Sequence, residues 1–191
     1  MDQQVKDKKT AIMDAALKLF TERGFHGTST AQISKEAGVA TGTLFNYFPT
    51  KEDLINSLYF EVKGKLSRRM GKDIQAQSAF QDKLKKLWYN LIEWGLNNQD
   101  DFLFVGQFCS SPYISNYTRE EVMKEYVFLH DLVEEGIASG EIRDYSGGLI
   151  IGMFYESSRT VVNFILSSGP EDKNKVIEDG FRIIWRGLAK N

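Results

Sequence analysis

Residues 28–54 of this 191-residue chain read TSTAQISKEAGVATGTLFNYFPTKEDL, and their spacing predicts two short helices joined by a tight turn. Ser29 and Gln32 have the spacing of a capping box, which begins the first helix. Gly38 ends that helix, because glycine adopts the left-handed backbone conformation without steric strain. Pro49 ends the second helix, since the residue before a proline is held out of the helical region.

Helical spacing also separates the inner face of this pair from its outer face. Ile33, Val39 and Leu44 fall where a helix-turn-helix needs inward residues. At 100° per residue, Gly42 and Asn46 lie opposite Leu44. A glycine inside a helix costs about 1 kcal/mol relative to alanine, so it is expected where the backbone must approach another molecule. The pair therefore predicts a motif whose outer face enters a DNA groove.

The candidate DNA contacts follow from this orientation. The hydroxyls of Thr41 and Thr43 and the rings of Phe45 and Tyr47 would touch sugars, thymine methyls and phosphates. Lys51 and the free N–H groups at the start of the next helix would form a phosphate site. The alternative is an ordinary helical hairpin in which Phe45 packs against the neighbouring helix.

The sequence on both sides of this pair is helical. Apolar residues at helical spacing and cap signals predict the remaining helices over 8–23, 50–70, 80–96, 100–108, 118–140, 146–167 and 171–190. Thr118 and Glu121 form the capping box of the 118–140 helix, and Gly169-Pro170 separates the last two helices. Strand-like alternation is absent, so the predicted fold class is all-α.

Charge is divided unevenly along the chain. The net charge is −2, but residues 1–72 hold 12 basic against 8 acidic residues and residues 73–191 hold 12 against 18. The first part is therefore +4 and the second −6. A basic head on an acidic body is typical of a polyanion-binding module joined to a different kind of domain.

Composition excludes several other classes of protein. A hydrophobic content of 42% with three prolines indicates a folded chain. One cysteine and two histidines provide neither a disulfide nor a zinc cage, so we expect no metal and no cofactor. The polar start lacks a secretory signal, and no uncharged apolar run reaches the roughly 20 residues that a bilayer requires. We therefore expect a cytoplasmic protein without a membrane partner.

The helix over 146–167 is apolar on more than one side, which predicts burial on more than one side. The last helix offers a matching apolar stripe, and four helices from two copies would form a closed twofold bundle. The alternative is the central helix of a monomeric core. The candidate dimer interface comprises Met153, Phe154, Val161, Ile165, Ile177, Phe181, Ile184 and Trp185.

Together with the helix before it, the 28–54 segment resembles the DNA-binding segment of the tetracycline-repressor (TetR) family of bacterial transcriptional regulators. The resemblance covers about residues 8–60, and the rest of the chain is similar only in its helical layout. It implies a three-helix helix-turn-helix DNA-binding domain over residues 1–50. It also implies a helical ligand-binding and dimerisation domain over residues 51–191.

Carried over by position, the resemblance implies a role for each outer residue. Thr28 and Ser29 would approach phosphates, Thr41, Gly42 and Thr43 would enter the major groove, and Tyr47 and Lys51 would contact the backbone. Two positions depart from the family pattern. Ala40 stands where serine is common, so that cap must come from elsewhere, with Thr41 as a candidate. Phe45 stands where tyrosine is common, which removes a phosphate hydrogen bond.

The resemblance further implies a homodimeric repressor that a small-molecule effector releases from a near-palindromic operator. The second domain contains aromatic residues for an effector pocket, although aromatic residues at helical spacing are also typical of cores. The candidate effector contacts are Trp88, Phe104, Phe108, Tyr126, His130, Phe154 and Arg159.

Two other classes of protein compete with a DNA-binding regulator. An enzyme would need a nucleophile with a base, a metal cage or a phosphate-binding glycine loop, and the sequence shows none of these. We therefore predict that the chain is not an enzyme. The remaining alternative is a helical adaptor that binds a protein partner through its C-terminal domain.

Overall fold

The structure, a computed structural model, describes residues 2–169 and 171–190, and over these residues it confirms the all-α fold class with ten helices and no strand. The helices are α1 (Asp2–Arg23), α2 (Thr30–Glu36), α3 (Thr41–Tyr47), α4 (Lys51–Gly71), α5 (Phe80–Asn97), α6 (Gln99–Phe108), α7 (Asn116–Lys124), α8 (Val127–Ala138), α9 (Gly147–Ser168) and α10 (Lys173–Leu188). The only backbone pairing of strand type in the described chain is an isolated bridge between Ile142 and Ala189.

Local signals set most of the predicted helix ends. Ser29 begins α2 with the predicted capping box, and Gln32 supplies the reciprocal bond. The glycines after α1, α2 and α9 have left-handed backbones, with φ values of 71° at Gly24, 66° at Gly38 and 54° at Gly169. Pro170 lies outside the described residues.

The prediction of one helix over 118–140 is wrong, because the structure has two. The chain leaves helical geometry at Tyr126, whose φ is −111° and ψ is 8°. The Glu125 carbonyl, released from helical bonding, accepts a hydrogen bond of 2.6 Å from Ser67 Oγ. The cap of α7 is also one turn earlier than predicted, since Ser115 Oγ accepts from the N–H of Thr118 at 3.1 Å.

The chain divides into two compact units. The first contains the chain up to Gly64 together with Gln99–Val122, and the second contains Lys65–Asn98 with the chain from Met123 onward. α6 and most of α7 belong to the first unit. The domain boundary after residue 50 stays a prediction. In the first unit the ring of Phe108 packs against Phe20, with centroids 6.2 Å apart.

The core of the second unit is built around Trp88, which is completely buried. Its ring packs edge-on against Phe154 at 5.4 Å, and its indole N–H donates to the Ile177 carbonyl at 2.9 Å. Gly180 permits this close packing, because a Cβ there would lie 2.8 Å from the Trp88 ring. These contacts join α5, α9 and α10. In the part of the chain that the structure describes, no helix is both long and apolar enough to span a bilayer.

Candidate nucleic-acid interface

The helix pair α2–α3 has the predicted inner and outer faces. Ile33 and Leu44 are completely buried and join the two helices to the rest of the first unit. Gly42 and Asn46 are exposed on the opposite face. Phe45 is 42% exposed, so the alternative in which its ring packs against a neighbouring helix is wrong. Exposure of so much apolar surface on a short helix fits a surface that meets a partner.

The outer face also includes three further predicted contact residues. Thr41 is exposed, whereas Thr43 and Tyr47 are partly buried at the edges of α3. The predicted cap by Thr41 does not form, since no side chain among the described residues caps α3 at Ala40. The first turn of α3 therefore presents backbone N–H groups that no side chain caps, together with the small hydroxyl side chains of Thr41 and Thr43.

Gly42 has no structural reason within the described chain to be a glycine. Its φ is not in the left-handed range, and no described atom lies within 4 Å of a Cβ built there. Alanine would be about 1 kcal/mol more favourable in a helix. The glycine instead leaves the backbone of α3 bare on the exposed face, which suits close approach to a groove wall.

The two residues predicted to approach phosphates at α2 have different surroundings. Ser29 is exposed at the start of α2, where its Oγ accepts from the Gln32 N–H at 3.2 Å. Thr28 is 1% exposed, and its hydroxyl lies 2.9 Å from both the Leu19 and Gly24 carbonyl oxygens. The prediction that the Thr28 side chain faces a phosphate is therefore corrected: it braces the turn that precedes α2.

Lys51 is also engaged inside the first unit. Its Nζ donates to the Phe25 and Thr28 carbonyls at 2.8 and 2.9 Å, and lies 4.0 Å from the centroid of the Phe25 ring. An ammonium group has three protons, so at most one is left for a phosphate. The predicted phosphate site at the start of α4 is further reduced, because Asp53 Oδ2 accepts from both the N–H and the hydroxyl of Thr50.

An exposed ion pair fixes α2 to α1. Lys18 Nζ lies 2.6 Å from Glu36 Oε1. The hydrogen bond and the Coulomb attraction raise the pKa of Lys18 and lower the pKa of Glu36. Exposed pairs contribute little to stability, because water and salt screen their attraction. The effect of the Lys18–Glu36 pair is to neutralise the Glu36 carboxylate beside the helix pair α2–α3.

The aromatic candidates for the effector pocket are core residues. Phe104 and Phe108 are buried in the first unit, with ring centroids 4.9 Å apart. Trp88 and Phe154 pack against each other in the second unit. Tyr126 is buried at the interruption of the helix between α7 and α8. The helical spacing that suggested a pocket is the same spacing that a core requires.

The two polar candidates for the effector pocket, His130 and Arg159, lie on different helices. His130 is exposed on α8, so it does not line an internal cavity. Arg159 Nη1 binds both oxygens of the Glu156 carboxylate at 2.9 and 3.0 Å. Its Nε is buried and finds no partner in the described chain. A buried donor of this kind is a point at which a water or a polar ligand atom would bind.

The predicted dimer residues are divided between core and surface. Phe154, Ile165, Ile177 and Phe181 are buried within a single chain, which corrects their assignment to an exposed interface. Phe154 keeps a small surface, which lines the groove between α9 and α10. Val161, Ile184 and Trp185 are partly buried, and Met153 is exposed.

Other apolar residues of the same two helices are also exposed. Among them are Leu149, Phe164 and Ile183, with 60%, 51% and 72% of their surfaces exposed. An apolar groove of about 340 Å³ lies between α9 and α10, lined by Tyr145, Leu149, Ile150, Met153, Phe154, Ile183, Ile184, Gly187 and Leu188. Sequence reasoning missed Leu149, although it lies one helical turn before Met153 and so shares its face.

Comparison with known proteins agrees with the geometry of the helix pair. Residues 12–58 match the family described as "Bacterial regulatory proteins, tetR family", and residues 59–189 match "Tetracyclin repressor-like, C-terminal domain". The chain is 33% identical to the "Fatty acid metabolism regulator protein" of Bacillus subtilis (strain 168) over 144 residues, which are 74% of each protein.

Two solved structures are similar over nearly the whole chain. A putative tetR family transcription regulator from Shewanella sp. PV-4 is 31% identical, with a TM-score of 0.83 over 96% of this chain and 99% of that one. The regulator FadR from Bacillus subtilis, solved in complex with stearoyl-CoA, is 26% identical, with a TM-score of 0.75 over 93% and 98%. This chain is a transcription regulator of the TetR family and not an enzyme.

Proposed function

We propose that this regulator is a homodimeric repressor that binds a near-palindromic operator and is released from it by a small-molecule effector. The DNA-binding part of this proposal rests on the exposed edge of α3, where Gly42 leaves the backbone bare and Phe45 is 42% exposed. Two such edges in one dimer would enter successive major grooves about 34–36 Å apart.

In each chain of the dimer, the contacts would differ in how deeply they enter the DNA groove. Thr41, Gly42 and Thr43 would meet base edges in the major groove, with Phe45 and Asn46 beside them. Tyr47, Ser29 and the remaining proton of Lys51 would bind the phosphate backbone and set the register. The face of α3 carries no lysine or arginine, so we expect apolar and hydroxyl contacts to bases in place of bidentate contacts to guanine.

Dimerisation would use the exposed face of α9 and α10. Leu149, Met153, Phe164 and Ile183 present an apolar surface that is unusual for helices facing water. A twofold axis would place each of these residues opposite the same surface of a second copy. The groove between α9 and α10 would accept apolar side chains from the partner and close a four-helix bundle.

The effector would be a long-chain acyl thioester. The support is the relative of 33% identity named as a regulator of fatty acid metabolism, together with the similar FadR structure that contains stearoyl-CoA. Ligand binding can shift the head only through a preference for the released conformation. As a bacterial operator-binding protein it would act in the cytoplasm.

The DNA-binding part is tested by selecting bound duplexes from a random DNA pool. We expect a sequence with two related half-sites, bound by a particle of twice the 21.8 kDa chain mass. Affinity should fall steeply with salt, with a slope of log K against log salt near −0.9 for each phosphate contacted. Enrichment of no duplex, or binding by a monomer, would contradict the proposal.

The effector part is tested by titrating stearoyl-CoA into the preformed operator complex, with free coenzyme A as the matched control. Release by stearoyl-CoA alone would identify the acyl chain as the recognised part. We expect octanoyl-CoA to act more weakly, because each buried methylene contributes about 0.8 kcal/mol. If neither acyl chain releases the operator, the effector belongs to another chemical class.

A further inference from the structure

The connection between α6 and α7 reaches back to the turn that precedes the DNA-reading helices. We call residues 109–115 of this connection the strap. Its Tyr113 stacks on the ring of Phe25, with centroids 4.1 Å apart and the planes 15° from parallel. The Tyr113 hydroxyl lies 2.5 Å from His26 Nε2. A residue 87 positions away in the sequence is thus packed against the turn between α1 and α2.

The strap is itself held from two sides. The side-chain amide of Asn56, on α4, donates to the Tyr113 carbonyl at 2.9 Å and accepts from the Ser115 N–H at 2.8 Å. The guanidinium of Arg119, on α7, donates to the carbonyls of Cys109 and Ser111. Hydrogen bonds from a charged guanidinium are stronger than bonds between neutral groups. Tyr113 therefore presents its ring from a rigid support.

The turn that Tyr113 contacts is continuous with α2. Lys51 Nζ lies over the Phe25 ring and binds the Phe25 and Thr28 carbonyls. Thr28 donates to the end of α1, and the next residue, Ser29, is the cap of α2. A displacement of the Phe25 ring would consequently move the start of α2, and α3 with it.

We propose that Tyr113 is a positioning residue for DNA binding, which fixes the α2–α3 pair against the rest of the first unit and so narrows the range of half-site spacings that the dimer accepts. The inference rests on the proposed homodimer. Each added base pair moves a half-site by about 3.4 Å and turns it by about 35° around the duplex. An α2–α3 pair fixed within its unit accepts fewer spacings than a pair that is loosened.

The test measures affinity against half-site spacing. The duplex selected by the wild-type chain is remade with its two half-sites one or two base pairs closer or farther apart, and fluorescence anisotropy gives each Kd at fixed salt. We expect the wild type to lose about tenfold or more in affinity for one base pair, comparable to one mismatched position. For Tyr113→Ala we expect all spacings to fall within about threefold of one another, because the aromatic contact that fixes the α2–α3 pair is absent.

Two further variants divide the contact into its parts, and a third is the control. Tyr113→Phe keeps the ring stack and removes the hydroxyl, so its spacing profile should lie between those of the wild type and Tyr113→Ala. Asn56→Ala releases the strap but leaves the Tyr113 ring, and should flatten the profile even if Tyr113→Ala does not fold. Tyr117→Ala removes a tyrosine of α7 that is 72% exposed, and should reproduce the wild-type profile.

The spacing ratio distinguishes positioning from simple stabilisation. Loss of stability lowers the active fraction and reduces every affinity by the same factor, which leaves the ratios unchanged. Wild-type ratios in both Asn56→Ala and the folded Tyr113 variants would overturn the inference while leaving the dimeric repressor intact. A wild-type chain that binds as a monomer, or without a preferred spacing, would instead contradict the proposed function.

Discussion

At the scale of single residues, Gly42 is a residue type that is unfavourable in helices, and it stands where a larger side chain would have free space. The Gly42→Ala variant should unfold at the same temperature as the wild type or slightly higher, because alanine is favoured in helices by about 1 kcal/mol. Its operator affinity should nevertheless fall about tenfold or more, since the added methyl occupies the closest approach to the groove. Thermal unfolding and fluorescence anisotropy measure the two effects.

The matched control is Gly148→Ala on α9, another position where a Cβ meets no described atom within 4 Å. It should leave operator affinity unchanged. Unchanged affinity in Gly42→Ala as well would show that the backbone of α3 stays away from the bases.

Lys63 on α4 is a second residue whose chemistry is altered by the fold. Burial lowers its pKa from 10.5 to about 8. Because the unfolded chain binds more protons between these two values, the unfolding free energy should rise with pH between about 8 and 10. Lys63→Met should therefore be more stable than the wild type at pH 7, by about 1–3 kcal/mol.

The difference should narrow by pH 9.5, where the folded lysine is neutral and the free energy needed to remove the proton from the unfolded chain has fallen. Urea unfolding at pH 7 and pH 9.5 measures both values. Above pH 10 the raised pKa of Tyr59 lowers the unfolding free energy of both proteins as the pH rises. The measurements therefore stop below pH 10. A difference between the proteins that stays constant with pH would show that Lys63 acts through packing and not through its charge.

At the scale of helices, α9 and α10 separate dimerisation from folding. The Ile183→Glu variant should fold as the wild type does, since Ile183 is 72% exposed and exposed substitutions change stability by about 0.5 kcal/mol or less. The twofold axis would bring two buried glutamates to one interface, which should convert the dimer to monomers. Analytical ultracentrifugation measures this change.

Val127→Glu is the control, because Val127 is also an exposed apolar residue of the second unit. It should leave the dimer intact. If Ile183→Glu stays dimeric, the interface lies elsewhere and the groove between α9 and α10 is free for another partner.

The break between α7 and α8 shows what periodicity misses at this scale. The apolar residues of 118–140 keep helical spacing through the break, and Glu125 and Tyr126 are ordinary helix residues with no glycine or proline beside them. The interruption depends on burial of Tyr126 and on the hydrogen bond from Ser67, 58 residues earlier. Neither contact leaves a signal in the local sequence.

At the scale of the whole molecule, the first unit joins the head to a distant segment. Deletion of residues 1–50 removes Phe20 and Phe25, which pack against Phe108 and Tyr113. The shortened chain should therefore expose apolar surface, bind a hydrophobic dye and lose its cooperative unfolding transition. Calorimetry of both proteins measures this loss. An unchanged transition in the shortened chain would support the predicted domain boundary after residue 50.

The sequence alone determined the helix pair and its outer face, including Gly42, Phe45 and Asn46, because caps, glycine turns and the 3.6-residue period act over a few residues. It also identified α9 and α10 as unusually apolar. Only the tertiary structure decided which of their residues are core and which are exposed. It alone placed the Lys51 and Thr28 side chains on carbonyls and Tyr113 on Phe25. The Lys51 and Tyr113 contacts join residues far apart in the chain, and all of these contacts depend on distances that no local pattern contains.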